Sequence, residues 1–551
     1  MPSVPATLTL AGTTPSASPR GRRLAAARAF APGELIATFD DDLLVATPDS
    51  PHLSTTCSHC LMSPSGAAVR ACTGCRTAHY CSAACQRADW SRAHKGECRA
   101  FGRARAEGRD AAALPTPVRA LMRLLLLLAA SDSKTGGAAV VVGELEGHVG
   151  EFRRAGGERW LDMELQALAA LHYLGREASP ESVTGAVEIL CKLQVNSFNR
   201  ADVDFGESGL LLHPALAMVN HSCMPNAFVQ FLGRRAILRA YRAIKEGEEV
   251  EISYIECTLH RSHRQEALRS RYHFDCGCVR CTEDLDVYQA CQRYPHLELN
   301  SFSLTPDLQA FQKPRIKHFL SSNMTLQRNV EEIYRSCSGS LQGMNAPEKR
   351  EELRRRWGKC EQLRKAMLFA IEPLAQFLVE ASIYFAEQDD FPAALAVSCF
   401  VALQSDPYRS PMPFAAQRVK GMLMIAKILA NTAPGVASPP TNATTGTVRT
   451  KLSETLAKMD QIIVCQVVLT LVLHWSPAAH SNAWQVCSQA KDLLKDIESL
   501  PGREKEYATV NAILKNLSGP DEGLFFTTGV IKPIRELSDI AIDVLSAEFG
   551  S

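Results

Sequence analysis

Hydrophobic and polar positions divide this 551-residue chain into three regimes. Short apolar runs open it. Gly21-Arg22-Arg23-Leu24-Ala25-Ala26 leads through Phe30 to Ala31-Pro32-Gly33-Glu34-Leu35-Ile36, and a Pro-Gly pair between two such runs predicts a β-hairpin. Residues 114–200 then take helical periodicity, with predicted helices over 118–130, 160–173 and 183–192. Pro115 and Pro117 precede the first, Ser131-Asp132-Ser133 follows it, and Gly136-Gly137 and Gly156-Gly157 mark loops. Alternation returns at Ala227 to Phe231 and Ala236 to Ala240, with a turn at Gly233-Arg234. A second turn at Glu246-Gly247 precedes a further short β-segment from Val250 to Ile255. Residues 259–272 predict a basic amphipathic helix. Beyond Thr282 the pattern is helical, over 349–370, 374–387, 393–404, 416–430 and 451–475. Turns such as Asp389-Asp390-Phe391-Pro392 suit antiparallel helix pairs. A degenerate repeat of the tetratricopeptide kind and a plain bundle both fit, since no clean period is present. The fold class is therefore α+β and multidomain.

Composition narrows the picture. Length implies about three or four domains. Lys+Arg 60 against Asp+Glu 59 excludes a generic polyanion binder. The longest purely apolar run, Leu124 to Ala130, is far short of the roughly 20 residues that span a bilayer, so no membrane is expected. With no charged segment followed by an apolar one at the N-terminus, secretion is not expected, and the expected location is nuclear or cytoplasmic; a monomer is also expected. Residues 1–19 are Pro/Ser/Thr-rich and predict a mobile arm, and residues 431–447 a disordered insertion.

Nineteen cysteines in such a chain read as metal ligands rather than disulfides. Cys57-x2-Cys60, Cys72-x2-Cys75, Cys81-x3-Cys85 and His94-x3-Cys98 supply eight soft ligands in four pairs, enough for two tetrahedral zinc ions. Spacing leaves sequential and interleaved pairing equally open. Arg87, Arg92, Lys95, Arg99, Arg103, Arg105 and Arg109 make the finger and its exit basic. That is a candidate phosphate or nucleic-acid contact, weighed against a solvated helix face.

A third cluster, Cys276-x-Cys278-x2-Cys281, lacks a fourth ligand, and Cys223 is the nearest unexplained candidate upstream. Cys223 follows Asn220-His221-Ser222, and Tyr254 lies between Cys223 and the cluster. A thiol-protease reading ranks a distant third, because Cys223 is better used as a metal ligand and neighbouring His221 and Ser222 do not easily form the three-body geometry a triad needs.

Residues 57–98, with Tyr80-Cys81-Ser82 and Trp90, resemble the MYND zinc finger. Four stretches stand in the order found in SET-domain lysine methyltransferases: Gly21 to Ile36, Asn220-His221-Ser222-Cys223-x-Pro225-Asn226, Gly247-Glu248-Glu249 leading to Tyr254, and the last cysteines. A finger inserted after the first motif is similar to the SET-and-MYND subfamily, over residues 18–285. A weaker likeness to that family's helical-repeat domain extends through Asp406-Pro407-Tyr408-Arg409 and Arg418-Val419-Lys420-Gly421.

The resemblance implies a β-rich SET core (20–50 and 201–257) interrupted by the finger (57–98) and a helical insertion (99–200). A post-SET zinc segment (258–285) and an all-α, tetratricopeptide-like domain (286–551) follow. It implies one zinc on Cys57, Cys60, Cys81 and Cys85, a second on Cys72, Cys75, His94 and Cys98, and a third on Cys223, Cys276, Cys278 and Cys281. It implies an S-adenosylmethionine-dependent lysine methyltransferase acting on a histone or other protein, with the finger open to protein partners. Tyr254 would be catalytic and also face the cofactor. Arg20, Arg22, His148, Asn220, His221 and Phe274 would bind cofactor, and Phe198 and Phe274 would line the lysine channel. One departure stands out: the family's Gly-x-Gly cofactor loop reads Gly21-Arg22-Arg23 here. Arg23 favours the alternative, an inactive SET-and-MYND adaptor that binds partners through its finger and helical domain.

Overall fold

The computed structural model describes residues 4–11, 21–41, 43–63, 69–131, 137–202, 206–294, 297–306, 324–432, 446–514 and 519–550. Two compact units emerge, one of Met1–Ile255 with Arg264–Gly277 and the other of Glu256–His263 with Cys278–Ser551.

The first unit holds the strands. In chain order these are β1 (Leu8–Ala11), β2 (Arg23–Ala26), β3 (Leu35–Phe39), β4 (Val45–Pro48), β5 (Arg70–Ala71) and β6 (His79–Tyr80). They continue with β7 (Phe198–Asp202), β8 (Gly206–Leu212), β9 (Asn220–His221), β10 (Ala227–Leu232), β11 (Arg235–Ala240) and β12 (Glu251–Ile252). They form small sheets: β1-β2, β10-β11-β3, β12-β9, β4-β8-β7 and β5-β6. Among the described residues only β12 and β9 pair in parallel, Glu251 opposite Asn220 and Ile252 opposite His221.

Two sequence expectations are corrected here. Residues 8–11, assigned to a mobile arm, form β1, with Leu8 opposite Ala26 and 4% exposed. The Pro32-Gly33 turn exists, with Gly33 at φ +77, but it joins no hairpin. Its flanking strands leave for distant partners, β2 to β1 and β3 to β11. By contrast β10 and β11 form the expected hairpin around Gly233, which has φ +59.

The buried side chains of the unit fall in two clusters. Leu24, Ile36, Phe39, Leu216, Val219 and Ile252 knit the strands together. Phe101, Leu121, Leu124, Leu171 and Leu190 join the finger to the helical insertion. The insertion helices are Thr116–Ser131, Gly157–Leu174 and Pro180–Asn196, each extending the predicted span by one to several residues. Ser179 caps the last with its hydroxyl, and Pro180 follows at the first helical position, where a missing N–H costs nothing.

The second unit is helical among its described residues, apart from turns. Helices Leu374–Glu387, Phe391–Gln404 and Ala416–Thr432 match expectation closely. Two predicted helices are each broken. The span 349–370 becomes Ala346–Lys359 and Glu361–Lys365. The span 451–475 becomes Gly446–Lys458 and Gln461–Ala479, because the Asp460 side chain accepts the N–H groups of Ile462 and Ile463 and starts a new helix. Gln461–Ala479 is long and apolar enough to cross a membrane by those criteria alone, and Val464, Val467, Val468, Leu469, Leu471 and Val472 on it are buried within the unit. The expected insertion at 431–447 lies mostly outside the described residues.

Candidate functional site

The site grows from the parallel pair β9 and β12. Register sets Asn220 and His221 beside Glu251 and Ile252, and Ser222 N–H donates to the Ile252 carbonyl at 2.9 Å. Two residues beyond Ile252, the backbone N–H of Tyr254 donates to His221 Nδ1 at 3.0 Å. Nδ1 is therefore an acceptor, so a neutral ring carries its proton on Nε2. That atom lies 3.3 Å from the Cys223 sulfur. One imidazole thus joins the tyrosine backbone to a cysteine thiol.

The Tyr254 hydroxyl donates to the Val219 carbonyl at 2.6 Å. Its ring centroid lies 5.2 Å from His221 and 4.8 Å from Tyr272. Burial, followed by the charges of Tyr272, Glu249 and Glu251, raises its pKa well above that of free tyrosine. The phenol therefore stays protonated through the neutral range.

Around this pair the chain closes a ring of side chains. Phe274 lies 6.0 Å from His221. Its neighbour His273, in the left-handed region at φ +58, lies 4.5 Å from Phe152 and 5.4 Å from His148. His148 is also left-handed, at φ +48, and the Glu146 carboxylate accepts the backbone N–H groups of Gly147 and His148. The His148 N–H is the main reason the Glu146 carboxyl is held below its usual range. Lys192 and Asn196 fix the same loop by donating to the Val142, Gly143 and Glu146 carbonyls. Arg22 donates to the Glu144 carbonyl and lies 3.5 Å from its carboxylate. Asn220 Nδ2 closes the ring, donating to the Arg22 carbonyl at 3.1 Å and to Glu249 at 2.8 Å.

Arg22, His148, Asn220, His221, Tyr254 and Phe274 are thus brought together. Phe198 stands 6.2 Å from Phe231 and, like Tyr254, packs against the strand cluster. Arg20 lies outside the described residues. Sequence reasoning missed Tyr272, Glu249 and the Val219 carbonyl. The signal for Tyr272 was its place in Arg271-Tyr272-His273-Phe274, directly ahead of the last cysteines. The Arg23 side chain, 45% exposed, lies 4.0 Å from the Glu249 carboxylate, the group that also accepts from Asn220.

Two features suit a bound small molecule. A Cβ built on Gly21, at φ +72, would meet nothing within 4 Å, so the backbone beside Arg22 is open to close approach. His273 Nε2 is buried and has no hydrogen-bond partner.

The cysteines collect into three ligand groups, each with its ligand atoms within 4.8 Å of one another. These are Cys57, Cys60, Cys81 and Cys85; Cys72, Cys75, His94 and Cys98; and Cys223, Cys276, Cys278 and Cys281. In the finger the pairs interleave rather than follow in sequence. A zinc–sulfur bond of about 2.3 Å implies a tetrahedral edge of about 3.8 Å. Cys60–Cys81 at 3.7 Å, Cys81–Cys85 at 3.5 Å, Cys72–Cys98 at 3.8 Å and Cys75 to His94 Nε2 at 3.8 Å all fit it.

The SET-domain family matches residues 21–255. Among curated relatives, SET domain and MYND-type zinc finger protein 6 of Schizosaccharomyces pombe is 36% identical over 43% of this chain and 45% of its own length. Histone-lysine N-methyltransferase SMYD3 of Homo sapiens is 31% identical over 49% of this chain and 61% of its own. N-lysine methyltransferase SMYD2-B of Danio rerio is 27% identical over 60% of this chain and 73% of its own. The chain thus spans about half of the first of these relatives and three-fifths of the second.

Proposed function

We propose that this chain, which carries a SET domain and is of the SET-and-MYND kind, is an S-adenosylmethionine-dependent protein-lysine N-methyltransferase. The observation that carries the reading is the half-buried Tyr254 hydroxyl, oriented by a backbone carbonyl inside a ring of aromatic and histidine side chains. S-adenosylmethionine would supply a methyl group on its sulfonium for attack by a neutral lysine amine.

The chain's own part is positioning and desolvation. Arg22, His148, Asn220, His221 and Phe274 would hold the cofactor, with Gly21 giving close backbone approach. Phe198, Phe274 and Tyr272 would wall the lysine channel. Tyr254 spends its proton on Val219, which leaves its oxygen lone pairs to accept an amine N–H and aim the nitrogen lone pair. With its pKa raised, the phenol is a poor general base, so its role is orientation.

The three ligand groups would each hold one structural zinc, three per chain by elemental analysis. The helical pairs of the second unit would form a tetratricopeptide-like domain. The substrate would be a lysine in a histone or another protein.

The adaptor reading draws on Arg23. Its side chain pairs with Glu249 at 4.0 Å, beside the Asn220 contact, so obstruction of cofactor by Arg23 is the point on which the two readings differ. Calorimetry on zinc-replete protein decides between them: S-adenosylmethionine binding is expected, and no detectable heat would sink the enzyme. Labelled cofactor on a histone and proteome panel, wild type against Tyr254→Phe, then tests transfer itself.

A further inference from the structure

The second finger group sits beside a buried network of charges. His94 turns Nε2 toward Cys75 at 3.8 Å and donates from Nδ1 to Glu97 at 2.9 Å. Glu97 is fully buried and is not one of the four proposed ligands. Its carboxylate also accepts from Arg123, Nη2 at 2.8 Å and Nε at 3.1 Å, and from Arg119 at 3.3 Å. The Arg123 guanidinium reaches further, to both oxygens of Asp89 at 3.1 and 3.0 Å and to the Ala46 carbonyl on β4 at 3.3 Å. Tyr80 donates to Asp89 at 2.8 Å. All of these side chains are 6% exposed or less.

Asp89, His94 and Glu97 would pass as a metal group by spacing. Arg123 already stands between the two carboxylates and supplies the cation they need. Arg119 and Arg123 lie on the helix Thr116–Ser131, outside the finger, whereas Asp89, His94 and Glu97 lie within it.

We infer that Arg123, acting through Glu97, is a positioning residue for the His94 ligand, so that zinc retention in the finger is set from outside it and the finger is not an autonomous module. Glu97 fixes which nitrogen of His94 faces the metal. Arg123 fixes Glu97 and ties it to β4. Supports of this type change metal affinity by about 10- to 100-fold when disturbed.

The inference rests on the zinc reading of the finger, so zinc content of the wild-type protein is measured first. Absence of finger zinc there overturns that reading and the inference together. With zinc present, full-length wild type, Glu97→Gln and Arg123→Lys are loaded with cobalt(II), and release to a chelator is followed at the absorption bands of each site. Both variants keep the shape of the network and remove a charge or the paired N–H geometry. The expected result is release about 10- to 100-fold faster from the three-sulfur, one-nitrogen site alone, with unchanged rates from the four-sulfur sites. Unchanged release from every site overturns the inference. So does equal acceleration at both finger sites, which would mean general loosening.

Discussion

The hydroxyl of Tyr254 donates to the carbonyl of Val219, one residue ahead of the strand that carries Asn220 and His221. The tyrosine is therefore held at both ends, since its backbone N–H bonds to His221. Tyr254→Phe keeps the ring and the backbone bond and removes only the hydroxyl. Methyl transfer should fall by about 10²-fold or more, the cost of a misplaced nucleophile. Cofactor affinity, zinc content and melting temperature should stay near wild type. Full activity in this variant would show that the hydroxyl does not position the amine.

Arg23→Gly restores the glycine usual in the cofactor loop. Arg23, its side chain 45% exposed, forms a 4.0 Å ion pair with Glu249, and such pairs contribute at most about 1 kcal/mol. S-adenosylmethionine affinity by calorimetry should change by less than about fivefold. A larger gain would mean that Arg23 obstructs the pocket.

Gly233 turns the β10–β11 hairpin against the finger. Its φ of +59 disfavours any side chain, and an added Cβ would come within 2.4 Å of the Cys60 carbonyl, a backbone atom that cannot swing aside. Arg200 also donates to the Gly233 carbonyl at 2.8 Å, which fixes the turn from behind. Gly233→Ala should lower stability by about 2–3 kcal/mol, read as a drop in melting temperature of the first unit. An unchanged melt would show that the hairpin tip yields.

Asp406 in the second unit has its pKa raised by burial from 3.8 to about 6, against the opposing pull of Arg409 and Arg418. Below about pH 4 the carboxyl is protonated whether the chain is folded or not. Between that and about pH 6 the unfolded chain ionises while the fold keeps the proton, so stability falls as pH rises through this window. Arg409 and Arg418 have other partners, Glu372 and Asn300. Asp406→Asn should therefore be more stable than wild type at pH 7, by up to about 3 kcal/mol, and equal to it near pH 4. Denaturant titrations at both pH values check the sign, and a variant less stable at pH 7 would reverse it.

Legibility followed the range over which each feature is encoded. The β10–β11 hairpin was readable because its turn and both strands lie within fourteen residues. The Pro32-Gly33 turn misled for the opposite reason. It is a real turn, but the partners of its strands are Leu8–Ala11 and Arg235–Ala240, which no local pattern announces. Helix Gln461–Ala479 was merged with its predecessor because apolar periodicity runs through Met459 and Asp460. The capping carboxylate of Asp460 was the overlooked signal. Tyr254 stood out by its motif, whereas Tyr272 gained meaning only when the chain folded its ring to within 4.8 Å of Tyr254.

Strand β3 pairs with β11, and β4 with β8, so partners join across some 160 to 200 positions of chain. At about 5–20 residues per second on the ribosome, β3 and β4 wait roughly 10–40 s for their complements to be synthesised. The finger and the insertion helices, whose contacts are local by comparison, are complete in that interval. Strands β3 and β4 are thus made early and paired late, and the nascent chain must keep their apolar edges shielded until residue 240 has emerged.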